Sequence, residues 1–158
     1  MVAWLSDEEQ RAWRGLQLMQ LRLTATLARE LADDAGLSYP DYVVLVALTD
    51  HDGRLRPFEL SRYLGWEKSR LSHHLSRMVD RGLVAREPCE TDLRGAVVVV
   101  TPAGQAAIEA AAPGHVASVR RHFIDLLTPE QLATLADISD TVLAALEETC
   151  ERHVPEDG

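Results

Sequence analysis

Ser69, Arg70, Ser72, His73, His74 and Arg77 fall in a single short stretch of the chain. Serine hydroxyls and neutral imidazoles both donate and accept hydrogen bonds, and arginine presents a planar fork of donors. Such a set can read nucleic acid: arginine pairs bidentately with guanine, serine meets several bases, and both meet phosphate. A serine beside a histidine also suggests nucleophilic catalysis. Adjacent residues on a helix diverge by about 100°, however, and no acid or pocket accompanies the pair, so that alternative carries little. A second charged group follows, made of Arg86, Asp92 and Arg94. Arg94 can enter a minor groove or meet phosphate. Asp92 can pair with Arg94 or Arg86 and fix the shape of the loop between them.

A helix must carry the first group. Leu71, Leu75 and Met78 recur at helical spacing and predict a helix from near Glu67, stopped by Gly82. Ser69, Arg70, His73, His74 and Arg77 then project largely away from that apolar stripe. The bland alternative is a solvated face. Solvated faces usually mix Glu with Lys, whereas this one holds no acid between Lys68 and Val79. Upstream, Pro57 suits the first turn of a short helix with Phe58, Leu60 and Leu64 as core residues and Gly65 as its stop. Short helix, turn, longer helix is the order of a helix-turn-helix. Downstream, residues 83–87 and 96–100 are β-prone, and Pro88 to Gly95 is a polar loop, so a β-hairpin wing is expected.

Helices flank this region. Ser6 with Glu9 is a capping box for a first helix running to about Asp33, with apolar positions from Trp13 to Leu31 and Gly36 beyond its end. Ser38 caps a second helix whose Val43–Leu48 run predicts burial on most sides. Thr101-Pro102 opens another helix, with Pro113-Gly114 as a candidate break. Thr128 with Gln131 caps the last one, whose stripe runs from Leu132 to Leu146. The expected fold is mainly α with a small β-hairpin wing. Residues 37–101 form the winged helix-turn-helix DNA-binding region, and 1–36 with 102–158 form a helical dimerisation region. The terminal stripes lack a sheet to cover them, and a second copy would do so, two-fold dimers being the commonest oligomers. Two reading helices so related would meet half-sites about 34–36 Å apart on a pseudo-palindromic duplex.

The 158 residues carry a net charge of −9. Residues 54–95 hold nine Arg or Lys against six acids, so this segment is +3 and the remainder −12. A mildly basic segment inside an acidic molecule suits a polyanionic partner at one place and weakens sticking elsewhere. The absence of a long apolar run and the acidic start MVAWLSDEEQ predict no membrane partner and a cytoplasmic location. No Gly-rich phosphate loop, metal-ligand cluster or nucleophile motif is present, so neither an enzyme nor a cofactor is expected. Cys89 and Cys150 read as ordinary thiols ahead of a redox switch.

The segments RGLVARE, CETDLRG and VVVVTPAG resemble the recognition-helix end, D-x-R wing and helix exit of multiple-antibiotic-resistance-type regulators, the MarR family. The resemblance covers essentially the whole chain. It implies a homodimeric winged helix-turn-helix transcriptional regulator, a repressor in the first instance, whose first and last two helices build the dimer interface. By position, Ser69, Arg70, Ser72, His73 and Arg77 would face the major groove and Arg94 the minor groove. The paired His73-His74 departs from the commoner pattern. Family members often bind small phenolic or aromatic effectors between dimer helices and reading head. Trp13, Met19, Tyr39, Tyr42, His51 and Trp66 are the candidate lining residues. Zinc ranks below such an effector, because Asp41-Tyr42 lacks the histidine that zinc-sensing relatives carry there. The competing reading is a winged-helix module that binds protein and not DNA, to which the acidic net charge lends weight.

Overall fold

The computed structural model describes residues 3–88 and 96–151. The chain divides into two compact units, residues 1–118 and 119–158.

The first unit opens with α1 (Asp7–Ala35), a 29-residue helix. Its start follows the expected box: the Ser6 amide donates to Glu9 Oε2 at 2.7 Å, and the Glu9 amide donates to Ser6 Oγ at 3.3 Å. Gly36, at φ 64°, ends it in the left-handed conformation. Leu27 and Leu31 are the buried side chains of α1, while Trp13, Leu16 and Met19 stay exposed.

α2 (Tyr39–Thr49) is the centre of the core, with Val44, Leu45, Ala47 and Leu48 wholly buried. It packs against α1, against α3 (Pro57–Leu64) and against the sheet. Leu60 of α3 and Leu71, Leu75 and Met78 of α4 (Lys68–Asp80) complete this core with Val84 and Val98. Each such Leu or Met contributes about 1.5–3 kcal/mol through its burial. The helix-turn-helix is therefore anchored along one stripe per helix, leaving the other face of α4 to water.

The sheet has three antiparallel strands in the order β1 (Arg54–Leu55), β3 (Ala96–Val100), β2 (Val84–Pro88). Val84 pairs with Val100 and Pro88 with Ala96, so the hairpin wing forms as expected. β1 was not legible, because two residues carry no periodicity. It joins through the pairs Arg54–Val99 and Leu55–Val98. Arg54 also reaches Glu87 across β3 at 3.4 Å, an exposed pair that contributes little.

α5 (Pro102–His122) runs without interruption through Pro113, contrary to the break expected there. Proline removes one helical hydrogen bond, here to the Glu109 carbonyl. Both residues are exposed, so water can serve the freed carbonyl. The start of α5 is locked to the turn that follows α4. The Thr101 hydroxyl donates to the Gly82 and Leu83 carbonyls and accepts from the Gly104 amide at 3.0 Å. Gly104 is buried at this corner, and a Cβ there would lie 2.0 Å from the Leu83 carbonyl oxygen.

The second unit holds the end of α5, a 3₁₀ turn (Ile124–Leu126) and α6 (Pro129–Glu151). Reciprocal bonds between Thr128 and Gln131, at 2.9 and 3.2 Å, cap α6 as the sequence predicts. Ile138, Val142, Leu143 and Leu146 are each more than half exposed along it. Among the described residues, no helix is long and apolar enough to cross a membrane.

Gly104→Ala should lower stability by about 1–3 kcal/mol, because the clash is with backbone and outweighs alanine's better helix propensity. Urea unfolding monitored by circular dichroism measures it; an unchanged midpoint would contradict the close approach at this corner.

Candidate nucleic-acid interface

Ser69, Arg70, Ser72, His73 and Arg77 all lie exposed on α4. His73 has no hydrogen-bond partner among the described residues and is open to solvent. The Arg70 guanidinium lies over the Trp66 ring, 4.3 Å from its centroid. Stacking of this kind contributes about 0.5–1 kcal/mol at an exposed site and restricts where the guanidinium goes.

His74 does not belong to this face, a correction to the sequence expectation. It is 8% exposed, three residues after Leu71 and next to Leu75, and so points inward. Its ring meets Trp66 edge-on, with centroids 5.5 Å apart. Nε2 lies 3.0 Å from Asp41 Oδ1, and Arg77 Nη2 lies 3.1 Å from Nδ1. Arginine can only donate, so Nδ1 accepts and the imidazole proton sits on Nε2, facing the carboxylate.

Asp41 is the hub of this cluster, at 1% exposure in the first turn of α2. The Ser38 hydroxyl donates to Oδ2 at 2.7 Å, and Arg81 Nη2 stands 2.6 Å from Oδ1. Burial pushes the Asp41 carboxyl up, but Arg81, Ser38 and His74 together outweigh it and hold it below its ordinary value. His74 is likewise held low, first by burial, and the nearby Arg77 and Arg81 charges add to that against the opposing pull of Asp41. Sequence reasoning missed Asp41 and Arg81 as positioning residues. The signal was available: a lone carboxylate inside YPDYVVLVALT needs partners once that helix is buried.

Arg86 is exposed on β2 and helps line a cavity of about 170 Å³ between α3, α4 and the strand. Pro57, Phe58, Leu71 and Leu75 give it apolar walls, while Lys68, Arg86 and Ser72 bring two cations and a hydroxyl. Asp92, Arg94 and Cys89 lie outside the described residues. The six residues expected to line an effector cleft do not gather. Trp13 and Met19 are exposed on α1, and Tyr39 and Tyr42 pack on His115. His51 meets Tyr63, while Trp66 meets Arg70 and His74. None of the six lines this cavity. Among the described residues, no group of three or more His, Cys, Asp or Glu could hold a metal ion.

Two predictions concern the Asp41 cluster. Asp41→Ala strands His74 and Arg81 and should cost about 3 kcal/mol, at the low end for a broken buried pair because Arg81 is half in water. Stability should also fall on acidification. Both groups are held low in the fold, so the unfolded chain takes up each proton first, His74 from about pH 6.5 downward and Asp41 from about pH 4. Urea unfolding between pH 7.5 and 5 should show a loss that shrinks in His74→Gln. An identical slope in that variant would remove His74 from the account.

A family model for the MarR family matches residues 35–95. A comparison with curated proteins gives no significant match. Among solved structures, the chain is 42% identical to AbsC, a MarR family transcriptional regulator from Streptomyces coelicolor. That match covers 93% of this chain and 99% of the other, with a TM-score of 0.85. It is 39% identical to Sco3205, a MarR family transcriptional regulator of the same organism in complex with DNA, over 92% of each chain and again at TM-score 0.85. A mutant MarR of E. coli complexed with operator DNA shares the fold at 24% identity and TM-score 0.76, over 89% of this chain and 99% of the other. With its winged helix fold and these relatives, the chain belongs to the MarR family of transcriptional regulators, which are not enzymes.

Proposed function

We propose that this regulator acts as a homodimer that reads a pseudo-palindromic operator with the exposed face of α4 and represses the adjacent gene. The observation that carries this reading is the acid-free face of Ser69, Arg70, Ser72, His73 and Arg77 on a helix anchored by Leu71, Leu75 and Met78. Short serines let the helix backbone approach a major groove, and the arginines and His73 supply donors to base edges and phosphates. Arg94 in the wing reaches the minor groove, with Asp92 and Arg86 fixing the wing's shape. The dimer covers the exposed apolar residues of α1 and α6, among them Trp13, Leu16, Val142 and Leu146. Residues 37–101 are the reading region, and the helices on either side are the dimerisation region. The DNA complex of Sco3205, at 39% identity, supports DNA as the partner over a protein.

A small aromatic acid is the proposed effector. The cavity walled by Pro57, Phe58, Leu71 and Leu75 suits an aromatic body, and Lys68, Arg86 and Ser72 suit its carboxylate or hydroxyl. A ligand there would sit directly behind the reading face and compete with DNA for Lys68 and Ser72.

Footprinting on the duplex upstream of the regulator's own gene tests the reading. A protected two-fold site is expected, with affinity falling steeply with salt. Arg70→Ala and Arg94→Ala should each weaken binding about tenfold and reduce the salt slope by about one. A purified dimer that protects nothing there and selects no motif from random duplexes would overturn the reading.

A further inference from the structure

Of the two arginines on the proposed reading face, Arg70 rests on the half-buried Trp66 ring, whereas Arg77 is tied to a buried side chain. Its Nη2 donates to His74 Nδ1 at 3.1 Å. His74 is itself buried, with Nε2 3.0 Å from Asp41 Oδ1 and the Trp66 ring edge-on beside it. An exposed arginine normally samples many rotamers and can exchange one acceptor for another. This one is referenced to a ring fixed by the core. Its bond to His74 uses one of five N–H donors, leaving a pair free for a bidentate acceptor such as the O6 and N7 atoms of guanine.

We propose that His74 is a specificity-positioning residue, fixed by Asp41 and fixing in turn the pose in which Arg77 meets one base pair. This rests on the DNA-reading role of the α4 face. An arginine in one pose discriminates, because a wrong base leaves its donors unpaired. A released arginine moves to a phosphate or a neighbouring base, so it keeps attraction and loses discrimination. The histidine pair thus divides its work. His73 is exposed and can touch DNA, whereas His74 acts from inside the protein through Arg77.

The test is a position-resolved specificity profile of the full-length protein, obtained by selecting bound sequences from random duplexes. It compares wild type, Arg77→Ala, His74→Leu and the double variant. Arg77→Ala identifies the base pair that Arg77 reads. His74→Leu fills the buried volume but cannot hold Arg77. It should reduce the preference at that same base pair about fivefold or more, leaving the other positions within about twofold. The double variant should be no flatter there than Arg77→Ala alone, since neighbours acting through one contact are not additive. A uniform affinity loss in His74→Leu with an unchanged profile would reduce His74 to a structural residue. Additive effects at that base pair would do the same, and so would an Arg77→Ala profile identical to wild type. If His74→Leu fails to fold, Asp41→Asn carries the comparison, because it frees the imidazole to adopt either tautomer at nearly constant volume. It should flatten the same base pair, and an unchanged profile overturns the proposal. A wild type that selects no motif overturns the DNA-reading role itself, an outcome distinct from a motif that survives His74→Leu intact.

Discussion

A single buried carboxylate ties α4 to the core in one orientation. Apolar burial is nearly non-directional, so Leu71, Leu75 and Met78 press α4 against the core without fixing its rotation or its slide along α2. Asp41 supplies what they lack. Its oxygens meet Ser38 on its own helix and His74 and Arg81 on α4. Those two contacts are seven residues apart, His74 within α4 and Arg81 its C-cap, about two turns, so the carboxylate fixes a line along that helix and not only a point on it. Taking a carboxylate out of water is costly, and removing either partner would leave that cost uncompensated. The arrangement trades stability for register.

The polar side chains on the face of α4 differ in their contacts. Arg70 rests on Trp66, Arg77 is held by His74, and His73 between them has no partner among the described residues. Two cations with a protein contact thus flank one side chain without any. A cavity of about 170 Å³, with Lys68 and Ser72 among its lining residues, borders the same helix.

Much of this was legible in the sequence. Capping boxes at Ser6 and Thr128 locate their helices because the chemistry is local and reciprocal. AVVVV identifies its strand without help from the rest of the chain. The failures have physical causes of other kinds. β1 is two residues long and is created by pairing with β3, so nothing in Arg54–Leu55 announces it. Pro113 was read as a break, but tertiary anchoring of Ile108 and Ala111 before it and Ser118 after it carries the helix through. Ser118 in particular bonds to Glu30 on α1. His74 was grouped with its polar neighbours because residue type was weighed above angular position, though it borders the Leu71–Leu75 stripe. The effector residues were assembled largely from aromatic character, which says nothing of their neighbours: Tyr39 and Tyr42 share His115, His51 meets Tyr63, and Trp13 stays exposed.

The corner where β3 hands over to α5 bears on how this molecule can move. Thr101 ties its own amide and hydroxyl to the turn that follows α4, and Gly104 brings α5 against the Leu83 carbonyl with no side chain between them. A joint built from backbone in contact with backbone has little compliance. Torque applied to α5 in this unit is not absorbed at the joint but delivered to the C-terminal end of α4, the end that carries Arg77 and Arg81. The Asp41 contacts at one side and the Gly104 corner at the other thus tie α4 and the start of α5 into one stiff piece, so that α4 cannot turn without carrying α5 with it.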